Sequence, residues 1–358
     1  MFHLNLFVID TNEKLADVVV RLRGAKWVAL DTEADSLHAY PEKLCLLQIT
    51  VAGSDELVDP LAQMDLAPLW SALRKHELIF HAADYDLRLL RKNHDFVPEQ
   101  IFDTMLAARL LGEKEFSLTN LVGNFLGVQL EKGSQKADWA RRPLTEKMED
   151  YARNDTRHLK PLSDILRKRL EERGRSAWHQ QSCDRLIADC SALPSADSES
   201  WRLKGSSKLG RLPLAVLREL WQWREREAVA ANKPPYFVLS HEVLVDIAAA
   251  SGTARNWLDL LPRHLSPRRA KELEQAVESG LRVSPKDQPQ IIRIVTSRPT
   301  EMEKRRFLEL TKRRDAAASR LEIDPTLIAS RATLGLLSQG WEENSKNLMS
   351  WQRELLAE

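Results

Sequence analysis

The stretch Trp27-Val28-Ala29-Leu30-Asp31-Thr32-Glu33-Ala34-Asp35 runs apolar for four residues and then turns acidic. It reads as a buried strand that delivers carboxylates to a site. Side chains two apart on a strand share a face, so Asp31 and Glu33 point one way while Leu30 and Thr32 point the other. Two carboxylates at about 4 Å, in an effective dielectric of about 20, repel by roughly 4 kcal/mol, and a fold keeps such a pair when a proton or a cation sits between them. A divalent metal is the natural cation. The competing reading of this stretch alone is a strand end that runs into a solvated acidic turn.

Outward from it, Lys43-Leu44-Cys45-Leu46-Leu47-Gln48-Ile49-Thr50-Val51-Ala52-Gly53 is a second apolar run closed by glycine. Glu56-Leu57-Val58-Asp59-Pro60 reads as a short third strand. Their hairpin-like spacing predicts antiparallel pairing. Leu78-Ile79-Phe80-His81-Ala82-Ala83 returns as a fourth strand and helical patterns follow it, so a mixed α/β domain is expected.

Two acids in the next helix separate by periodicity. Asp84 shares a face with Arg88 and Arg91, a solvated ion-pair pattern, whereas Asp86 falls with Ala83, Leu89 and Leu90. An unpaired acid on an apolar face carries a desolvation cost of several kcal/mol, which makes Asp86 the functional candidate. The same anomaly recurs in the helix predicted after Thr145, a plausible N-cap. There Met148, Tyr151, Ala152, Asp155, Leu159 and Leu162 share the inward face, with Tyr151 and Asp155 one turn apart. Taken singly, each acid is equally well read as a buried, hydrogen-bonded Asp.

The whole chain sets bounds on these readings. Its 358 residues suffice for two or three domains, and 43% apolar with 29% charged residues is the composition of an ordinary globular protein. The formal net charge of +1 hides a split, since residues 1–174 hold 24 Lys and Arg against 28 Asp and Glu, while residues 201–283 hold 14 against 9. An acidic first part beside a basic second part suits a metal-requiring site with a separate polyanion-binding surface. Cys45, Cys183 and Cys190 have neither metal-ligand spacing nor an even count, which points to a reducing cytoplasm. The N-terminal residues lack the pattern of a signal peptide and no run reaches about 18 apolar residues, so the expected protein is cytoplasmic, neither exported nor membrane-spanning.

Asp31, Glu33, Asp86 and Asp155, with Tyr151 four before the last, make the ordered pattern D-x-E, aromatic-Asp, Y-x-x-x-D. It resembles the DEDD superfamily of 3′ to 5′ exonucleases in its tyrosine branch. The segments Ile101-Phe102-Asp103-Thr104-Met105-Leu106, Ser117-Leu118-Thr119-Asn120-Leu121 and Lys132-Gly133-Ser134-Gln135-Lys136-Ala137-Asp138-Trp139-Ala140-Arg141-Arg142-Pro143 extend the resemblance, and they are similar to the ribonuclease D family over most of residues 25–170. The resemblance implies a ribonuclease H-like mixed sheet flanked by helices. It also implies two divalent ions, Mg²⁺ or Mn²⁺, held by Asp31, Glu33, Asp86 and Asp155, and a water oriented by Tyr151. Asp103 is read as an N-cap. Lys132, Lys136, Trp139, Arg141 and Arg142 form a loop suited to holding phosphates and stacking on a base, or equally a solvated turn with one Trp covering the core.

From about residue 175 to 210 the composition shifts to Ser, Ala, Asp and Gly, which predicts a linker. Leu212 to Ala228, then Asn232-Lys233-Pro234-Pro235-Tyr236-Phe237-Val238-Leu239 and Leu244-Val245-Asp246-Ile247-Ala248, resemble the HRDC domain, a small helical nucleic-acid-binding module. Ile323-Asp324-Pro325-Thr326-Leu327-Ile328 echoes the segment after Tyr236, as a degenerate second copy would. The expected layout is an α/β exonuclease domain at 1–174, a linker at 175–210, an HRDC domain at 211–283 and a second HRDC-like all-α bundle at 284–358. The implied function is a metal-dependent 3′ to 5′ exoribonuclease that trims structured RNA such as transfer RNA precursors and releases nucleoside 5′-monophosphates. No obligate protein partner is evident. A DNA-directed exonuclease of the same superfamily would use the same acids, and a non-catalytic RNA-binding protein is the third class.

Overall fold

The apolar half of the opening stretch becomes the buried half of a central strand. The structure is a computed structural model and describes residues 8–131, 133–192, 199–253, 256–262, 265–292 and 298–357. Its strands are β1 (Val8–Ile9), β2 (Val28–Ala34), β3 (Leu44–Val51), β4 (Ser54–Val58), β5 (Glu77–Phe80) and β6 (Gln100–Asp103). Among the described residues they form one sheet of order β1-β4-β3-β2-β5-β6. As the hairpin spacing predicts, β3 runs antiparallel to β2 and β4, whereas β1 is parallel to β4 and β5 is parallel to both β2 and β6. Every residue of β3 is buried, which fits a continuous apolar run covered on both faces.

Helices fill the connections in chain order: α1 (Asn12–Gly24), α2 (Ala67–Leu73), α3 (Asp84–His94), α4 (Thr104–Leu110), α5 (Leu118–Leu126), α6 (Glu146–Arg157), α7 (Leu159–Glu172) and α8 (Ser176–Ser191). Period-two alternation assigns the faces of β2. Val28 and Leu30 pack with residues of α1, α2 and α3, whereas Ala29 joins residues of α4, α5 and α7. The crossover from β2 to its parallel neighbour β5 leads into α3, so the first turn of α3 lies beyond the carboxyl ends of these strands.

Two expectations about domain organisation need correction. Much of the predicted linker at 175–210 is helix α8, whose residues His179, Cys183 and Cys190 are buried and whose Leu186 and Ile187 pack on the first core. The C-terminal helices α13 (Glu301–Leu321), α14 (Pro325–Ile328), α15 (Arg331–Gln339), α16 (Trp341–Asn344) and α17 (Ser350–Ala357) belong with the sheet-containing unit. Their buried Leu310, Ala317, Ile328, Leu334 and Trp351 share one apolar cluster with α4, α5 and α7, so they do not have a core of their own. Arg175 ties the two together by donating to Leu110 O at 2.6 Å and to Leu321 O at 2.8 Å, and Trp178 of α8 stacks on Trp351 of α17.

This first unit comprises the described parts of Met1–Ala34, Leu44–Ala192 and Ser297–Glu358. The second comprises those of Asp35–Lys43 and Leu193–Thr296. The second unit is a helical bundle of α9 (Arg211–Ala231), α10 (Pro235–Val238), α11 (His241–Ser251) and α12 (Pro267–Leu281), built on Leu217, Leu220, Trp223, Ile247 and Leu273. Helices α9 and α12 approach closely, because a Cβ on Gly280 would lie 2.4 Å from Val216 Cα. Near the end of α9, Glu227 accepts from Arg268 and Arg269 of α12 at 2.7 and 2.8 Å. The β2–β3 loop joins this bundle through Tyr40, whose hydroxyl bonds Glu225 and whose N–H donates to Asn232.

The local order of α9 to α11 recurs in α13 to α15. In each, a 21-residue helix ends at a left-handed non-glycine, Asn232 or Glu322. A four-residue helix with proline in its first turn follows, and then a helix capped by Ser240 or Ser330.

Candidate active site

Strand β2 and helices α3 and α6 bring the acids together. β2 carries Asp31 and Glu33 out of the core on one face, while α6 packs on β2, β3 and β4. Thr145 caps α6 by accepting from Met148 N, as its sequence predicts. Thr156 Oγ1 meets Thr50 Oγ1 of β3 at 2.7 Å, and Arg157 donates to Asp55 at 2.6 Å, which fixes the turn carrying Asp155. The result is three carboxylates, on Asp31, Glu33 and Asp155, each offering an oxygen within 4.8 Å of the others.

Asp86 stands beside this trio. The described groups that meet the mutual 4.8 Å spacing do not include it. It is nonetheless close enough to raise the pKa of Asp31, Glu33 and Asp155. Its side chain is buried and accepts a hydrogen bond of 2.6 Å from Thr32 Oγ1, the buried residue between the two strand acids. Asp84, by contrast, faces solvent and pairs with Arg88 at 3.0 Å, as helical periodicity predicts.

The electrostatics describe a site short of positive charge. Burial, then the neighbouring carboxylates, hold Asp31 well above the usual range. Burial followed by Asp155 and Asp86 pushes Glu33 up to about 9. Burial takes Asp155 to about 7 against the pull of a hydrogen bond from Tyr151, and takes Asp86 to about 6 against that from Thr32. Burial and the acids around it raise the Tyr151 phenol above its ordinary value, so it stays protonated and donates to Asp155.

The donor set fits hard divalent cations, because oxygen ligands with surplus negative charge are what Mg²⁺ and Mn²⁺ take. A second observation agrees. Gln48 of β3 is fully buried directly across the ladder from Asp31, and neither its Oε1 nor its Nε2 has a partner within the described protein. A buried amide without partners costs several kcal/mol, so its place beside the acids suits a site completed by something bound. Sequence reasoning missed Gln48. Its signal is a lone amide inside the otherwise apolar run Leu44–Ile49.

The loop residues divide. Lys132 lies outside the described residues. Trp139 is 1% exposed and packs with Cys45, Leu46 and Met148, its ring 6.1 Å from that of Tyr151. Arg142 donates to both Asp59 oxygens at 2.6 Å and to the carbonyls of Cys45, Trp139 and Arg141. These two side chains hold the loop in place, Arg142 through its bonded guanidinium although the residue is exposed, and Lys136 and Arg141 are exposed too. Gly133 lies against Tyr151, where a Cβ would fall 2.2 Å from Cδ2 of the ring. The loop thus approaches the tyrosine through two of its residues. Asp35, the third acid of the opening stretch, turns away to accept from Lys43 N at 2.7 Å in the β2–β3 loop.

Comparison with known proteins places this geometry. A family model described as 3′–5′ exonuclease matches residues 6–171, and the HRDC domain model matches residues 214–258. Ribonuclease D of Zymomonas mobilis is 36% identical over 247 residues, 67% of this chain, and the match spans 63% of that protein's length. Ribonuclease D of Desulfotalea psychrophila is 29% identical over 98% of this chain and 96% of its own. The crystal structure of Escherichia coli RNase D, described as an exoribonuclease involved in structured RNA processing, superposes with a TM-score of 0.80 at 26% identity, covering 99% of this chain and 97% of that one. No described helix is long and apolar enough to cross a membrane. With a mixed sheet, an acidic trio, an HRDC match and relatives aligned from end to end, the chain belongs to the ribonuclease D family.

Proposed function

We propose that this chain is a metal-dependent 3′ to 5′ exoribonuclease that shortens structured RNA, transfer RNA precursors among them, and releases nucleoside 5′-monophosphates. The observation that carries the reading is the carboxylate trio Asp31, Glu33 and Asp155, with Tyr151 bonded to the last of them. Asp31, Glu33, Asp86 and Asp155 would hold two Mg²⁺ or Mn²⁺ ions. Bound there, the ions supply a Lewis acid for the phosphate and lower the pKa of water.

The chain's own groups do the rest. Tyr151 serves best as a hydrogen-bond donor, since a phenol with a reference pKa near 10 is a poor base at neutral pH. Its hydroxyl, fixed by Asp155 and by packing against Trp139 and Gly133, orients the attacking water. Thr32 fixes one oxygen of Asp86, so that carboxylate presents the other. The basic residues 201–283 supply grip on RNA that the net-acidic first part lacks. We read residues 284–358 as a diverged HRDC-like repeat that has become part of the catalytic unit.

The test is hydrolysis of matched 5′-labelled and 3′-labelled precursor transfer RNA, with and without Mg²⁺ or Mn²⁺, beside a DNA oligonucleotide of the same sequence. The reading expects stepwise shortening from the 3′ end, 5′-monophosphate products and dependence on the metal. Equal or faster turnover of DNA would transfer the assignment to a DNA-directed enzyme. Binding without cleavage would leave a non-catalytic RNA-binding protein.

A further inference from the structure

Asp103 occupies a junction that an N-cap alone does not explain. It ends β6 directly beside Phe80 of β5, is fully buried, and caps α4 by accepting from Met105 N at 2.8 Å and Leu106 N at 3.1 Å. The same carboxylate reaches across to the next connection. Its Oδ1 accepts from Ala82 N at 3.2 Å and its Oδ2 from Ala83 N at 2.8 Å. Ala82 and Ala83 lead into α3, which has no side-chain cap of its own. One carboxylate therefore caps α4 and anchors the two residues that lead into α3, and α3 carries Asp86 three residues beyond Ala83.

The backbone at this junction is not at rest by itself. Ala82 has φ of +63°, a left-handed conformation that costs an alanine roughly 1 kcal/mol or more and comes freely only to glycine. The bonds from Asp103 hold it there. The surroundings are locked as well, since Thr104 Oγ1 donates to Phe80 O at 3.0 Å and contacts His81 Nδ1 at 2.9 Å. Relaxing Ala82 to negative φ would redirect the chain at the start of α3 and move Asp86 relative to the acids on β2.

We propose that Asp103 is a positioning residue for the active site, acting through Ala82 and Ala83 to fix the first turn of α3 and with it Asp86. The inference rests on the reading of Asp86 as a site acid. Asp103→Asn separates its two duties. The amide oxygen takes the three donors now on Oδ1, so α4 keeps its cap, while the amide NH₂ replaces Oδ2 and faces the Ala83 N–H donor to donor.

The test measures turnover and amide hydrogen exchange in the full-length chain. For Asp103→Asn the expected result is a fall of about 10- to 100-fold in kcat with KM within about threefold, the scale of a displacement near 1 Å. Exchange should accelerate at the amides of residues 83–87 and stay unchanged at residues 106–110. Adding Ala82→Gly should restore part of kcat, because glycine takes the left-handed conformation without steric cost. Normal kcat in Asp103→Asn would overturn the proposal, as would exchange that rises equally in both helices with kcat tracking melting temperature. Asp86→Asn, run in parallel, separates the two readings. If it remains fully active, the functional assignment of Asp86 fails, and if it is inactive while Asp103→Asn is normal, only the positioning role fails.

Discussion

Replacing Arg142 by alanine tests what the loop before α6 does. As a phosphate-binding residue, Arg142 would set KM and leave stability alone. The structure instead commits its guanidinium to both oxygens of Asp59 and to three backbone carbonyls, with Asp59 itself 6% exposed. Removing one partner of a buried ion pair costs about 3–5 kcal/mol, because the other charge is left desolvated. The Arg142 side chain is 29% exposed and Asp59 keeps the Leu61 N–H at 2.9 Å, so about 2–3 kcal/mol is the appropriate figure here. At about 2–4 °C per kcal/mol for a unit of this size, melting should fall by roughly 4–12 °C. Loss of the bond to the Trp139 carbonyl loosens the loop against Tyr151, so kcat drops with stability while KM for a short unstructured RNA stays within about threefold. Arg142→Lys should not rescue, since an ammonium cannot match both Asp59 oxygens. Scanning calorimetry and steady-state kinetics on the same preparations decide the matter, and an unchanged melting temperature with a tenfold higher KM would refute this reasoning.

Other outcomes follow from the same geometry. Tyr151→Phe should lower turnover by roughly 10² to 10⁴ with little change in metal affinity by calorimetry; parallel losses of both would make the hydroxyl part of the metal site. In the HRDC bundle, hydrogen bonds from Arg268 and then Arg269 hold Glu227 down at about 2, so its contribution is present above its unfolded value near 4.5 and is lost as pH falls through about 2. Discounted for the exposed Arg268, that is about 1–2 kcal/mol, and the gap in melting temperature between wild type and Glu227→Gln should close over that window; a gap independent of pH would contradict it. Neutralising the exposed Lys204, Lys208 and Lys271 should make the dependence of transfer RNA precursor affinity on salt shallower by roughly 0.7 to 0.9 in log–log slope for each phosphate no longer neutralised, whereas an unchanged slope would remove the bundle's role in grip.

Local periodicity was enough to separate Asp86 from Asp84 and to order the first hairpins, because both depend on which face of an element a residue occupies. It could not tell an exposed arginine from one committed to the fold. Arg141 and Arg142 are adjacent and identical in type, and only the distant Asp59, opposite one of them, distinguishes the two. The misread linker has a different cause. The Ser- and Asp-rich composition of 175–210 masks a stripe at His179, Cys183, Leu186, Ile187 and Cys190, whose spacing is helical but in which only Leu186 and Ile187 are aliphatic. The C-terminal helices read as an independent bundle since their stripes name no partner, and the cluster they join is assembled from α4, α5 and α7, all more than a hundred residues earlier. Gln48 is visible in the sequence as a break in an apolar run, but its meaning depends on the register that sets it opposite Asp31.

The central claim is that the acids of β2, α3 and α6 hold the metal on which hydrolysis depends. Asp31→Asn tests it most directly, as it removes a ligand and a charge while nearly preserving shape. Metal binding by calorimetry and single-turnover cleavage of a 5′-labelled RNA at saturating Mn²⁺ should be measured together, with the fold checked by melting without metal. The account predicts that hydrolysis is nearly abolished, that metal affinity is lost, and that the metal-free melting temperature holds or rises as carboxylate repulsion is relieved. Near-normal cleavage at saturating Mn²⁺ in a folded Asp31→Asn protein would contradict it.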